Sequence, residues 1–282
     1  MSTAKINPHT PSLDWEVLES PLFYNCPLTG KNKEAGTRAF INSQTGGLIS
    51  SKMTGQYQIF SNLDFVSLAE LIADEKGIKI SHYTTSKGGK KVLVAFERPD
   101  QNFEIAGFPI ESHLILMNSH DGTGCIEVGE SHKLHRCNNM FASTMTRLKI
   151  FHNSNMNNQI EALKFQIMNV EASIAEELDT ISTFANVKID SAIIEQFKIN
   201  WFGDFQDSEP TTTMKNKMLR FDQSVIQEVG QLGMNAFGLY NAVTHYTTHN
   251  FLKTGSCNEK DFPIFGERAS MNKEAFSFCA AL

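Results

Sequence analysis

Residues 80–97 read ISHYTTSKGGKKVLVAFE, and this stretch decides the fold class. Its two halves, ISHYTTS and KVLVAFE, are rich in β-branched and aromatic residues and alternate about the double glycine of Lys87-Gly88-Gly89-Lys90. Glycine accepts the left-handed backbone that a tight reversal needs, so the stretch predicts an antiparallel hairpin. Two further strands follow, SHLILMN (112–118) and CIEVGE (125–130). They are joined by SHDGTG, in which Asp121-Gly122 is a strong turn signal. Upstream, Phe65, Leu68, Leu71 and Ile72 share one helical face, with Asn62, Leu63 and Asp64 offering the start and Gly77 the stop.

Beyond Asn138 the apolar period changes from two to between three and four. Ile160, Leu163, Ile167, Val170, Ile174, Leu178 and Ile181 describe one long helix with a single apolar seam. Asp190 to Trp201, Met214 to Leu232 and Asn235 to Leu252 suggest three more, with DSEPTTT (207–213) as a hinge. The order is sheet first and helices after, which predicts an α+β fold: an antiparallel β-sheet with hairpins in the N-terminal half, then a long helix and a helical C-terminal half. Three regions are expected. Residues 1–37, broken by Pro8, Pro11, Pro21 and Pro27, read as an irregular leader anchored near Trp15, Val17 and Leu18. Residues 38–160 form a β-rich domain with one helix, and 161–282 a helical region packing on the sheet.

The chain has 282 residues, 41% hydrophobic and 10% aromatic, enough to bury a sizeable core. No run of 18 apolar residues occurs, and MSTAKINPHTPSLDWEV lacks the basic start and apolar centre of a secretory signal. Five cysteines without CxxC spacing read as reduced thiols. A cytoplasmic protein, with no membrane partner, is the expectation. The closing Cys279-Ala280-Ala281-Leu282 matches a prenylation box in form but has no polybasic stretch before it, and reads as an apolar tail packed on the body.

The net charge of −6 disfavours a whole-surface grip on nucleic acid. Its distribution points the other way. Ser131 to Ile160 contains no acid, while Lys133, Arg136, Arg147 and Lys149 make it basic. Glu161 to Glu209 is strongly acidic, as a solvated helix surface would be.

Chemistry-bearing residues crowd into NSHDGTGCIEVGESHKLHRCNN (118–139). His120, His132, His135 and Cys137 are ligands of zinc type, but H-x-x-H-x-C matches no common module. His245 and His249 lie one helical turn apart without the glutamate of an HExxH site. Cys137 beside Arg136 and His135 has the setting of an activated thiol, although catalytic partners usually arrive from distant segments. Neither GxxxxGK[ST] nor GxGxxG occurs. A single-strand binder uses more of these residues, because it tracks phosphates with basic side chains and stacks bases on aromatics. The candidate contacts are Lys87, Lys90, Lys91, His120, Lys133, His135, Arg136, Asn138, Arg147, Lys149 and His152.

YQIFSNLDF (57–65), GGKKVLV (88–94), LILMNSHDGTG (114–124), RCNNMF (136–141), IFHN (150–153) and GLYNAVTHYTTH (238–249) together resemble the phage/plasmid-like protein family, whose domain has no assigned function. The resemblance implies a phage or prophage origin and a location in the host bacterial cytoplasm. In order of elements the chain is also similar to the ring-forming single-strand annealing proteins of phages, of the Red-beta and Erf kind. The reading that follows is a non-enzymatic phage protein binding single-stranded nucleic acid, most simply DNA, during replication or recombination. It would act as a homo-oligomer and without a cofactor. The alternatives are an enzyme of unassigned, metal-assisted chemistry at His120, Asp121, His135 and Cys137, or an interaction protein that disables a host protein.

Overall fold

A computed structural model describes residues 13–98, 103–134, 140–142, 148–166, 171–205, 209–251 and 266–282. It shows the α+β order that the sequence predicts. Three strands form one antiparallel sheet in the order β1-β2-β3: β1 (Val17–Asn25), β2 (Asn32–Asn42) and β3 (Leu48–Met53). Helix α1 (Asn62–Lys76) follows. A seven-stranded sheet then has the path β10-β8-β7-β5-β4, with β6 paired to β7 and β9 to β8. Its strands are β4 (Lys79–Ser86), β5 (Lys91–Glu97), β6 (Phe103–Ile105), β7 (Phe108–Ser119), β8 (Ile126–Leu134), β9 (Met140–Ala142) and β10 (Leu148–Ile150).

The remaining helices are α2 (Met156–Gln166), α3 (Glu171–Phe184), α4 (Ser191–Phe202), α5 (Thr212–Leu232), α6 (Ala236–His245) and α7 (Gly266–Ala280). Their starts obey the capping rule, in which a side-chain oxygen accepts an otherwise orphaned helix amide. Ser61 caps α1, Asp190 caps α4, Thr211 caps α5 and Asn235 caps α6. Gly77 ends α1 in the left-handed conformation.

The structure differs from expectation at four places. Residues 17–37, expected to be irregular, form β1 and half of β2. The expected single helix over 160–181 is two helices, α2 and α3, with residues 167–170 between them outside the described residues. The helix expected over 235–252 gives way after His245 to a π-helical turn, Tyr246–Asn250. Helix α7 has no counterpart among the expected elements, and it buries Cys279, whose Sγ donates to the Ala236 carbonyl.

The chain divides into two compact units. The first comprises residues 1–98, 113–129 and 147–169, and the second 99–112, 130–146 and 170–282, so β7 and β8 both run from one into the other. The first unit's core joins Trp15, Phe40, Ile49, Phe60 and Phe65 to the inward residues Val92, Val94, Phe96, Leu114 and Leu116 of the central strands. The second unit's core joins Phe184, Phe197, Phe221, Phe237, Tyr240 and Tyr246 to Ile105 and Ile110. Each such side chain contributes about 1.5–3 kcal/mol by leaving water. Among the described residues no helix is long and apolar enough to cross a membrane.

Candidate functional site

The turn after β7 is the seed of the site. Asp121 Oδ1 accepts from the Thr123 amide at 3.0 Å, the Thr123 hydroxyl at 2.7 Å and the Ser119 hydroxyl at 2.8 Å. Gly122 turns the chain at φ +74, and a Cβ there would stand 3.1 Å from Met53. Lys91 lies directly opposite Ser119 in the β5–β7 ladder. Its Nζ therefore reaches the Ser119 hydroxyl at 2.7 Å, Asp121 Oδ1 at 3.0 Å and the Thr123 hydroxyl at 2.7 Å. Both charges of the pair are little exposed, at 11% and 12%. Burial alone would raise the Asp121 carboxyl, but the Thr123 hydroxyl, the Lys91 charge and the Ser119 hydroxyl outweigh it and hold the group below its ordinary value.

Two histidines stand behind this turn, and their tautomers follow from their partners. Asn62 Nδ2 donates to the Trp15 carbonyl at 2.8 Å, so its oxygen faces His120 Nε2 at 2.9 Å. Nε2 must then carry the proton, and Nδ1 is a buried bare nitrogen with no hydrogen-bond partner among the described residues. His152 Nδ1 donates to the Gln58 carbonyl at 3.0 Å, which leaves its Nε2 bare as well. Burial, with His152 nearby, pushes His120 down to about 3, and burial pushes His152 down to about 4. Trp15 meets His120 edge-on at 5.6 Å, and Tyr57 stacks on His152 at 4.5 Å. The Tyr57 hydroxyl donates to the Ser119 carbonyl at 2.5 Å, and burial raises it well above its ordinary value.

In front of the turn is a concavity of 570 Å³. One wall is β3, with Ser50, Ser51 and Met53. The other carries Thr54, Tyr57, Lys90, Asp121 and Thr123. Hydroxyl groups dominate the polar lining. The charge is simple: Asp121 is neutralised by Lys91, whereas Lys90 makes no side-chain hydrogen bond or ion pair with another described residue. Among the described lining residues the site thus carries one uncompensated cation together with several hydroxyl groups.

Of the residues singled out from sequence, the fold brings Lys90, Lys91, His120 and His152 into this one region. Lys87 lies in the 3-10 turn Lys87–Gly89 between β4 and β5. Lys149 is exposed on β10, opposite Glu127. Lys133 lies on β8 in the second unit. His135, Arg136, Cys137, Asn138 and Arg147 lie outside the described residues. His132 is buried in the second unit, with Nδ1 2.9 Å from the Ser112 hydroxyl and Nε2 3.9 Å from Glu130. Among the described residues no group of three or more His, Cys, Asp and Glu is placed to hold a metal. Of the pair His245 and His249, His245 turns inward, its Nδ1 3.0 Å from the Ser224 hydroxyl and its Nε2 3.0 Å from Gln227. Burial, with His249 nearby, lowers His245 to about 4. Sequence reasoning did not select Tyr57, Asn62, Ser119 or Thr123 as site residues. Only the Asp121 turn, which places Ser119 and Thr123 on either side of one carboxylate, carried a local signal for any of them.

Fold and site together define an α+β protein with a hydroxyl-lined concavity in its first unit whose described lining includes the free cation Lys90. The chain belongs to the family described as domain of unknown function DUF932, which matches residues 51–273. No curated protein and no solved structure matches it. Most of the site falls within the matched residues, whereas Trp15, β1, β2 and the start of β3 precede them.

Proposed function

We propose that the first unit binds single-stranded nucleic acid, with a phosphate at Lys90 and the surrounding hydroxyls as hydrogen-bond donors. The observation that carries this reading is the charge balance of the concavity. Among the described lining residues, with Lys91 held by Asp121, Lys90 is the cation left to meet an anion, and Ser50, Ser51 and Thr54 are residue types that bond phosphate and sugar oxygens. A volume of 570 Å³ accommodates a nucleotide. The role this reading assigns to the site is binding. The resemblance noted above supports a phage setting in DNA replication or recombination, with annealing-type action by an oligomer in the bacterial cytoplasm.

The test is binding of a labelled oligothymidylate at rising salt. Phosphate neutralisation releases counterions, so affinity falls steeply with salt if the reading holds. Absence of binding at low salt removes it.

A metal-assisted enzyme is the second reading, favoured by the bare Nδ1 of His120 and Nε2 of His152, both ligand-capable nitrogens. Among the described residues these two nitrogens fall short of the three protein ligands of a catalytic zinc site. One equivalent of zinc in the purified protein, lost in a His120→Ala variant, would favour that reading.

A further inference from the structure

The three-stranded sheet is longer on one side than its third strand can cover. Strand β2 pairs with β3 from Ile41 to Arg38, where Arg38 faces Met53 on the wall of the concavity. Beyond Arg38, β1 and β2 continue alone to the pair Asn25 and Asn32. Six further residues of β2 make a ribbon of about 20 Å at the rise of an extended strand. Its base is tied to the concavity, because Arg38 pairs with Glu19 and also donates to the Thr54 carbonyl at 3.0 Å. Its tip closes on itself, with the Cys26 amide on the Lys31 carbonyl at 2.9 Å and the Gly30 amide on the Cys26 carbonyl at 2.8 Å.

The ribbon carries large apolar groups that the described residues of its own unit leave uncovered. Phe23 is 60% exposed and Tyr24 49% exposed. As neighbours in one strand they face opposite sides. Lys33 stands directly across from Tyr24, and Lys31 follows at the tip. From Ser20 to Lys33 there is no acid, and Glu34 then stands directly across from Phe23, so the basic face of the ribbon is the one that carries Tyr24. A bare two-stranded ribbon gains little from displaying aromatics to water. Exposed rings interleaved with lysines are instead the elements with which proteins stack bases and hold phosphates without reading sequence.

We propose that the β1–β2 ribbon is a second contact for the same single strand, stacking a base on Tyr24 while Lys33 beside it and Lys31 at the tip meet phosphates. A strand leaving the concavity at Met53 would continue along the ribbon. The proposal rests on the reading of the concavity as a nucleic-acid site, and it adds a segment that precedes the family match.

The experiment uses the full chain, with oligothymidylates of about 5 and about 15 nucleotides, lengths that bracket the site sizes of single-strand binders. Wild type should bind the longer one more tightly. The variants Tyr24→Ser, and Lys31→Glu with Lys33→Glu, should bind the longer one at least about tenfold more weakly, at unchanged melting temperature and with the shorter one unaffected. Lys90→Glu should weaken both. If both ribbon variants bind the longer strand like wild type while Lys90→Glu does not, the ribbon proposal fails and the concavity reading stands. If wild type binds neither length, both fail. Loss of self-association with unchanged affinity in the aromatic variant would assign the ribbon to a second copy of the chain and overturn the proposal.

Discussion

At Lys90 and Lys91, neighbouring residues of one type do different work. Lys91 is held by three oxygens, and removing its carboxylate partner strands a poorly hydrated ammonium. Asp121→Ala should therefore cost about 2 kcal/mol or more, which urea unfolding would register. Lys90→Glu should cost less than about 1 kcal/mol, because half-buried Lys90 makes no side-chain hydrogen bond or ion pair with another described residue. The turn itself was legible, since Asp-Gly in SHDGTG has a local signature. The capture of Lys91 was not, because its partners arrive about thirty residues later across a ladder whose register no local pattern sets. The histidines give a pH prediction. His120, His152 and His245 all titrate in the fold below their ordinary 6.5, so as pH falls the unfolded chain takes up protons first. Their contribution is fully present above about pH 6.5 and is lost progressively between there and about pH 4 for His152 and His245 and about pH 3 for His120. Urea midpoints should fall from pH 7 to pH 5, and equal midpoints would show that these rings are not held neutral.

At the scale of elements, the β4–β5 hairpin was readable because both halves bury one face and so alternate. Its tip reads in sequence as an open turn, yet Gly89 sits against the Trp15 ring at φ +93, with room for no side chain: a Cβ would be 2.7 Å away. Gly89→Ala should thus lower the melting temperature, by steric conflict and a disfavoured backbone angle together, and an unchanged value would contradict the packing of Trp15 on the turn. Strands β1 and β2 were not readable for the converse reason. Their distal halves bury neither face, so no period of two appears, and Pro21 on the edge strand mimics a break. The described parts of the seam, Ile160 and Leu163 in α2 and Ile174, Leu178 and Ile181 in α3, are helical, as its period says. Which of its turns belong to α2 and which to α3 depends on the core each meets, and a seam alone does not say.

Among the described residues there are two hydrophobic cores, one around Phe40 and Phe65 and one around Phe197 and Phe221, and each is filled by residues from non-contiguous stretches of chain. The α+β order was legible because strand and helix periods occupy different halves of the sequence. The assignment of 99–112 and 130–146 to the second unit was not, since strands β7 and β8 cross between units without any change in pattern. Phe40→Ala and Phe221→Ala should each cost about 3–5 kcal/mol. The central claim for the molecule is that its first unit holds a single strand through Lys90. The direct measurement is the affinity of the full-length wild type and of Lys90→Glu for an oligothymidylate across a salt series. Wild-type affinity should fall steeply with salt, and Lys90→Glu should bind more weakly with a shallower slope, by about 0.7 for each phosphate no longer neutralised. Identical affinities and slopes for the two proteins, or no binding by wild type at low salt, would contradict it.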